Sequence, residues 1–129
     1  MLKQLFRFTV KLIVKLLFRV EISGMENYHA AGKRVLIIAN HTSFLDPMLL
    51  WLFLPDDITF AINTHISERW WLKPFLGLSK VFRMDPTHPL SLKDLTHHLQ
   101  HDTQTVIFPE GRITVTGTLM KIYDGTGMV

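Results

Sequence analysis

The chain has 129 residues, enough for one small domain and too few for two. It contains no cysteine, which excludes disulfides and thiolate-zinc centres and fits a reducing, cytoplasm-facing location. An apolar content of 47% suits a chain with a core, and a net charge of +3 favours anionic partners, either nucleic acid or an anionic membrane surface.

Residues 1–20 carry Lys3, Arg7, Lys11, Lys15 and Arg19, a cation at every fourth position, with no Gly or Pro and no acid before Glu21. On a helix about 30 Å long these cations form one slowly drifting stripe, and Leu, Ile, Val and Phe cover the rest. No uncharged run lasts long enough to cross a bilayer. Charge also interrupts the apolar region too often for a secretory signal, and no small-residue cleavage site follows. The pattern predicts an amphipathic helix on an anionic leaflet, with Lys and Arg snorkelling toward headgroups. The competing reading is a helix packed on its own protein. The apolar arc is wider than one packing face needs, which favours the membrane. Cations gathered on an apolar helix, with no aromatic-lined basic surface, argue against nucleic acid.

Residues 20–22 read as a short strand ended by Ser23 and Gly24, and 27–33 as a polar connection. The apolar run 35–38 predicts a buried strand, and a helix follows Pro47 and stops at 55–57. A second strand is expected at 58–62. A helix is expected from Ser67 to Leu72, disturbed by Pro74 and ended near Gly77. Trp70 and Trp71 suit either a bilayer interface or ordinary packing. Strands at 81–84 and 105–108 flank a helix over 91–100, where Ser91 and Asp94 match a capping box. His97, His98 and the adjoining His101 come without a clear third metal ligand from another element, so a solvated helix face is the better reading. Strand and helix alternate, which predicts an α/β fold with a mixed, mostly parallel sheet flanked by helices.

The turn after the first buried strand carries His41 and Asp46. Sites in open α/β sheets are built at the carboxyl ends of strands. A neutral imidazole there can take a hydroxyl proton, and a carboxylate on its other nitrogen fixes the tautomer. On a regular helix the spacing subtends about 140°, so the two side chains would point apart. They meet only if His41 lies in the turn and Asp46 in the first helical turn. Ser43 to Asp46 has the form of a capping box, which would put Asp46 at the third helical position. The competing reading is Asp46 as a simple cap, at that position or as N-cap ahead of Pro47. The second turn of interest, Phe108-Pro109-Glu110-Gly111-Arg112, also follows a strand. It would share a sheet edge with His41 if the two strands are parallel. Gly111 permits close backbone approach, Arg112 offers a planar fork for phosphate, and Glu110 could position Arg112 or a substrate hydroxyl.

Taken together, Asn-His-Thr-Ser-Phe-Leu-Asp at 40–46 and Phe-Pro-Glu-Gly-Arg at 108–112 resemble the glycerolipid acyltransferase family. The likeness covers nearly the whole chain after Val20. The run 112–125 is most similar to the acyltransferase half of the bifunctional bacterial 2-acylglycerophosphoethanolamine acyltransferase/acyl-[acyl-carrier-protein] synthetases. The resemblance implies His41 as general base, Asp46 as its orienter, and Glu110, Gly111, Arg112 and Arg83 as acceptor-binding residues. It implies no cofactor and no metal, with acyl-carrier protein or acyl-CoA as donor and a lysophospholipid as acceptor. It also implies the cytoplasmic face of the bacterial inner membrane. The family's middle motif ends in a phosphate-binding arginine; here Pro86 stands in that place and Arg83 is out of register. A 1-acylglycerol-3-phosphate acyltransferase and a non-catalytic membrane-binding fragment are the alternatives. The expected organisation is a membrane-associating helix at 1–20 and an acyltransferase domain at 21–129 that stops before its last strands.

Overall fold

A computed structural model describes residues 1–54, 57–85, 87–117, 122 and 127; the side chain of Pro89 is not described. The expected helix stop at Pro55 and Asp56, the Pro86 position, and most of the 118–126 run lie outside these residues. Six α-helices and four strands follow one another as α1 Leu2–Leu17, α2 Met25–Ala30, β1 Val35–Ile38, α3 Asp46–Phe53, β2 Thr59–Asn63, α4 Thr64–Ser67, α5 Lys73–Leu78, β3 Lys80–Met84, α6 Pro89–Leu99 and β4 Gln104–Ile107. A 3₁₀ turn, Trp70–Leu72, links α4 to α5.

The strands form one sheet in the order β1-β4-β2-β3, and every described pairing is parallel. The last strand in sequence therefore enters the middle. Its burial explains why: Thr105, Val106 and Ile107 are all buried, as a central parallel strand covered on both faces requires. On one face Val106, Phe60 and Ile58 pack with Trp51 and Leu52 of α3 and Val14 of α1. On the other, Leu95 and Leu99 of α6 cover Ile107, with Leu36, Ala61, Phe82 and Met84 around them.

Four expectations change. Residues 20–22 form no strand. Val20 meets the core through its side chain instead of pairing in the sheet. The polar connection contains the short helix α2, entered from Gly24 at φ +75°, a left-handed conformation that glycine adopts without penalty. The helix expected from Ser67 is split into α4, the 3₁₀ turn and α5, and α5 has Pro74 in its first turn, where proline is tolerated. Helix α6 begins at Pro89 rather than Ser91, since proline favours the first helical position. Ser91 Oγ is then free to accept the Asp85 amide at 3.2 Å.

Helix α1 packs against α3 through its cations. Arg7 donates to the Leu54 carbonyl at the end of α3, and its guanidinium lies 5.4 Å from the Trp51 ring centroid. Lys11 sits 5.2 Å over Phe53, and Lys3 pairs with Asp57 at 3.5 Å. Arg7, Val10, Lys11 and Val14 thus form the inner face, while Leu2, Leu5, Phe6, Phe8, Leu12, Ile13, Leu16 and Leu17 are exposed. Among the described residues no helix is long and apolar enough to cross a membrane.

Candidate active site

Strands β1 and β4 pair in register from Val35↔Gln104 to Ile38↔Ile107, so the turns after them leave the same sheet edge side by side. The ladder continues one step further, with the Ala39 amide donating to the Ile107 carbonyl at 3.1 Å. Beyond it the two turns are bonded to each other. The His41 amide donates to Glu110 Oε1 at 3.2 Å, and the Thr114 amide donates to the His41 carbonyl at 2.8 Å. The backbone of His41 is therefore held on both sides by the 110–114 segment. Its ring stacks on Phe108, centroids 4.3 Å apart and planes 26° apart.

His41 Nδ1 lies 3.1 Å from Asp46 Oδ2. The same oxygen accepts the Thr42 amide at 2.7 Å and the Ser43 amide at 2.8 Å. Asp46 opens α3, where a carboxylate also favours the helix dipole. Half of the expected capping box exists: the carboxylate reaches back to Ser43 N–H, but Asp46 is the first helical residue and not the third. Burial by itself would raise the Asp46 carboxyl. The His41 ring and the Ser43 and Thr42 amides outweigh it and hold the group below its ordinary value. The side chains of His41 and Asp46 are 16% and 19% exposed, so the imidazole is oriented from behind yet open to the front.

In front of it lies a cavity of about 570 Å³ that wraps the carboxyl end of β2. Phe60, Ile62, Phe75, Leu92, Leu95 and Ile107 make its walls apolar, and Phe44 and Trp71 stand at 4.9 Å edge to face in its lining. Gly111 and Arg112 line it too, as expected, and Gly111 has φ +64°. Its amide is committed to the Phe108 carbonyl at 2.9 Å, so it is not a spare donor for a developing oxyanion.

Two expected acceptor-binding residues lie elsewhere. Glu110 is 3% exposed and absent from the cavity wall; its bond to the His41 amide makes it a tie between turns. Arg83 lines a separate hollow with Ser67, Glu68, Lys73, Leu76 and Gly77. Its strand is regular, so the alternating pleat sends Arg83 to one face and Met84, which does line the His41 cavity, to the other. Sequence reasoning missed Thr114 and Arg69. Thr114 acts through a backbone amide, which leaves no signature in residue type. Arg69 lines the cavity from the α4 loop, whose path depended on a helix break misplaced by several residues. The histidines of α6 and the turn after it stand apart from the site: the His98 ring lies tilted against Phe82 with centroids 5.1 Å apart, and His101 Nδ1 lies 2.9 Å from the His97 carbonyl.

The family model described as Acyltransferase matches residues 19–129. Taffazin of Dictyostelium discoideum is 27% identical, over 82% of this chain and 41% of its own length. A chloroplastic 1-acyl-sn-glycerol-3-phosphate acyltransferase of Arabidopsis thaliana is 29% identical, over 84% of this chain and 31% of its own length. A chloroplastic enzyme of the same name from Brassica napus is 28% identical, over 84% and 32%. The chain thus spans less than half the length of these curated relatives. No solved structure matches it.

Proposed function

The chain belongs to the acyltransferase family, and we propose that it moves a fatty acyl group from a thioester donor, acyl-carrier protein or acyl-CoA, to the free hydroxyl of a lysophospholipid. The observation that carries this reading is the His41–Asp46 contact of 3.1 Å beside an apolar cavity of about 570 Å³. His41 Nε2 removes the hydroxyl proton as the acceptor oxygen attacks the thioester carbonyl. Asp46 accepts from Nδ1–H, which fixes the tautomer and stabilises the imidazolium. The C–S bond then breaks, and the departing thiolate takes the proton from His41, leaving an ester and a thiol. Glu110 and Thr114 serve as positioning residues that hold the His41 backbone. The Phe60, Ile62 and Leu95 walls suit an acyl chain, which needs no polar partner.

The run from Arg112 supports 2-acylglycerophosphoethanolamine as acceptor. The plant relatives, named for acylating 1-acyl-sn-glycerol-3-phosphate, support that lipid as the second reading. Comparing the two acceptors separates them. The outward apolar arc of α1 supports a peripheral place on an anionic membrane, taken here as the cytoplasmic face of the bacterial inner membrane. In this arrangement residues 1–20 bring the catalytic domain, 21–129, to its lipid.

His41→Ala tests the chemistry. Transfer measured with a labelled acyl thioester is expected to fall about 10²- to 10⁴-fold while sedimentation with anionic vesicles is unchanged. Wild-type rates in that variant remove the mechanism. Vesicle binding without turnover by the parent chain would favour a non-catalytic membrane-binding fragment.

A further inference from the structure

We propose that the Asn63 side-chain amide is the oxyanion donor of the acyl-transfer step; the proposal rests on the reading above and deepens it. Attack on a thioester carbonyl drives the carbonyl π electrons onto oxygen, and that charge needs a donor already in place. In the turn after β4 the Gly111 amide is bonded to the Phe108 carbonyl, and Pro109 has no N–H. Asn63 carries the one side-chain carboxamide described in the wall of the His41 cavity. Its orientation is fixed. The His65 amide donates to Asn63 Oδ1 at 2.9 Å, and a backbone N–H can bond only to the oxygen end of the side chain. The Nδ2 amino group is the end left over, and no acceptor holds it among the described residues.

The sheet sets where that amino group stands. Asn63 ends β2 and pairs with Met84, so the pleat turns both to the same face, and both line the cavity. Strand β2 runs beside β4 with Phe60 level with Val106, and β4 runs beside β1 with Ile38 level with Ile107. Carried along the strands, this register sets Asn63 level with Pro109 and Asn40, one residue short of His41. Two strand spacings, about 10 Å, then separate the two backbones. Both residues line the cavity that fills this gap, the base on the β1 side and the amide on the β2 side. A thioester held between them has its carbon toward the oxygen that His41 activates and its carbonyl oxygen toward Nδ2. Arg69 and Arg112 also line the cavity, but they are exposed and stand on loops, whereas Asn63 is half-buried at the end of a strand and is the better preorganised donor. The acceptor oxygen bonds to the carbonyl carbon as His41 takes its proton, and the oxyanion accepts from Nδ2–H. The C=O bond re-forms as the C–S bond breaks, and the thiolate takes the proton from His41. Asn63 gives up no proton.

The two ends of Asn63 can be separated by substitution. Asn63→Asp and Asn63→Ser keep an oxygen to cap α4 and lose the amino group; Asn63→Ala loses both. Transfer is measured with a labelled acyl thioester and a lysophospholipid, and folding by thermal unfolding. In all three variants kcat is expected to fall about 10²- to 10³-fold, with KM for the acceptor little changed in Asn63→Ser. The unfolding midpoint should drop in Asn63→Ala alone. Parent-like kcat in Asn63→Asp and Asn63→Ser, with loss only in Asn63→Ala, overturns the proposal, since a cap is then all that the residue supplies. A second measurement needs no turnover. A long-chain alkyl trifluoromethyl ketone, which hydrates to a tetrahedral centre, is compared with the matching methyl ketone by calorimetry. The parent chain should prefer the fluorinated ketone by about tenfold or more, and Asn63→Asp should not. Equal binding of the two by the parent chain, or a preference kept by Asn63→Asp, also overturns the proposal. A preference that Asn63→Asp abolishes, in a chain that transfers no acyl group, leaves the donor assignment standing and removes the acyl-transfer reading.

Discussion

Asp46 concentrates three contacts on one oxygen: two backbone amides and the His41 ring, all within 3.1 Å. The amides fix the carboxylate, and the carboxylate fixes the ring. Its depressed pKa makes this arrangement a stabilising one with a definite pH range. A group whose folded pKa lies below its unfolded value contributes stability above the unfolded pKa, about 3.9, and loses it as pH falls through the folded value. Asp46→Asn should therefore lower the midpoint of thermal unfolding at pH 7, and the gap to the parent chain should close below about pH 4. A gap constant across that range would show that the charge contributes nothing. The pair was legible in the sequence because the strand-turn-helix pattern allows His41 to lie in the turn and Asp46 in the first helical turn, where they can meet. Their tie to Glu110 and Thr114 was not, because it runs through backbone amides.

At the scale of one element, α1 shows how a pattern can be read correctly and oriented wrongly. The stripe of cations is present, but much of it turns inward. The reason lies at the end of α3, where the Leu54 carbonyl has no helical donor and the Trp51 and Phe53 rings offer negative faces. Cations satisfy both, and the apolar arc is left facing out. Two substitutions on opposite sides of the helix should therefore do different things. Phe8→Asp with Leu12→Asp should reduce co-sedimentation with anionic vesicles at least tenfold, since each apolar side chain moved from water contributes about 1.5–3 kcal/mol. Arg7→Ala should instead lower the unfolding temperature and change vesicle binding little. If both variants bind vesicles like the parent chain, the outward arc is not the membrane surface.

Over the whole molecule, the site depends on a sheet whose middle strand comes last in the described chain. Inserting β4 between β1 and β2 brings residues 41 and 110 within hydrogen-bond reach although they are 69 positions apart. The core that holds this arrangement is small and contains Leu52, Ile58, Phe60 and Val106 with 0% exposure. Leu52→Ala should cost about 2–5 kcal/mol in urea unfolding, the range for a buried leucine whose neighbours cannot collapse into the gap. Acyl transfer, the proposed activity, should decline with it, because the His41 and Glu110 turns are anchored by the same strands. A loss below about 1 kcal/mol would mean that α3 repacks freely against the sheet.

Local chemistry determined what the sequence could state alone. Apolar runs marked the four strands but also a fifth at 20–22 that does not form, alternation marked an α/β class with a mixed, mostly parallel sheet, and the residue types around 41–46 and 108–112 marked the two turns that meet. Tertiary structure decided the rest: the order of the strands, the side of α1 that faces out, the burial of Glu110, the exclusion of Arg83 and the entry of Arg69. Each of those depends on which neighbour a residue meets across the sheet. Periodicity along the chain carries the direction of a side chain but not the identity of what stands opposite it.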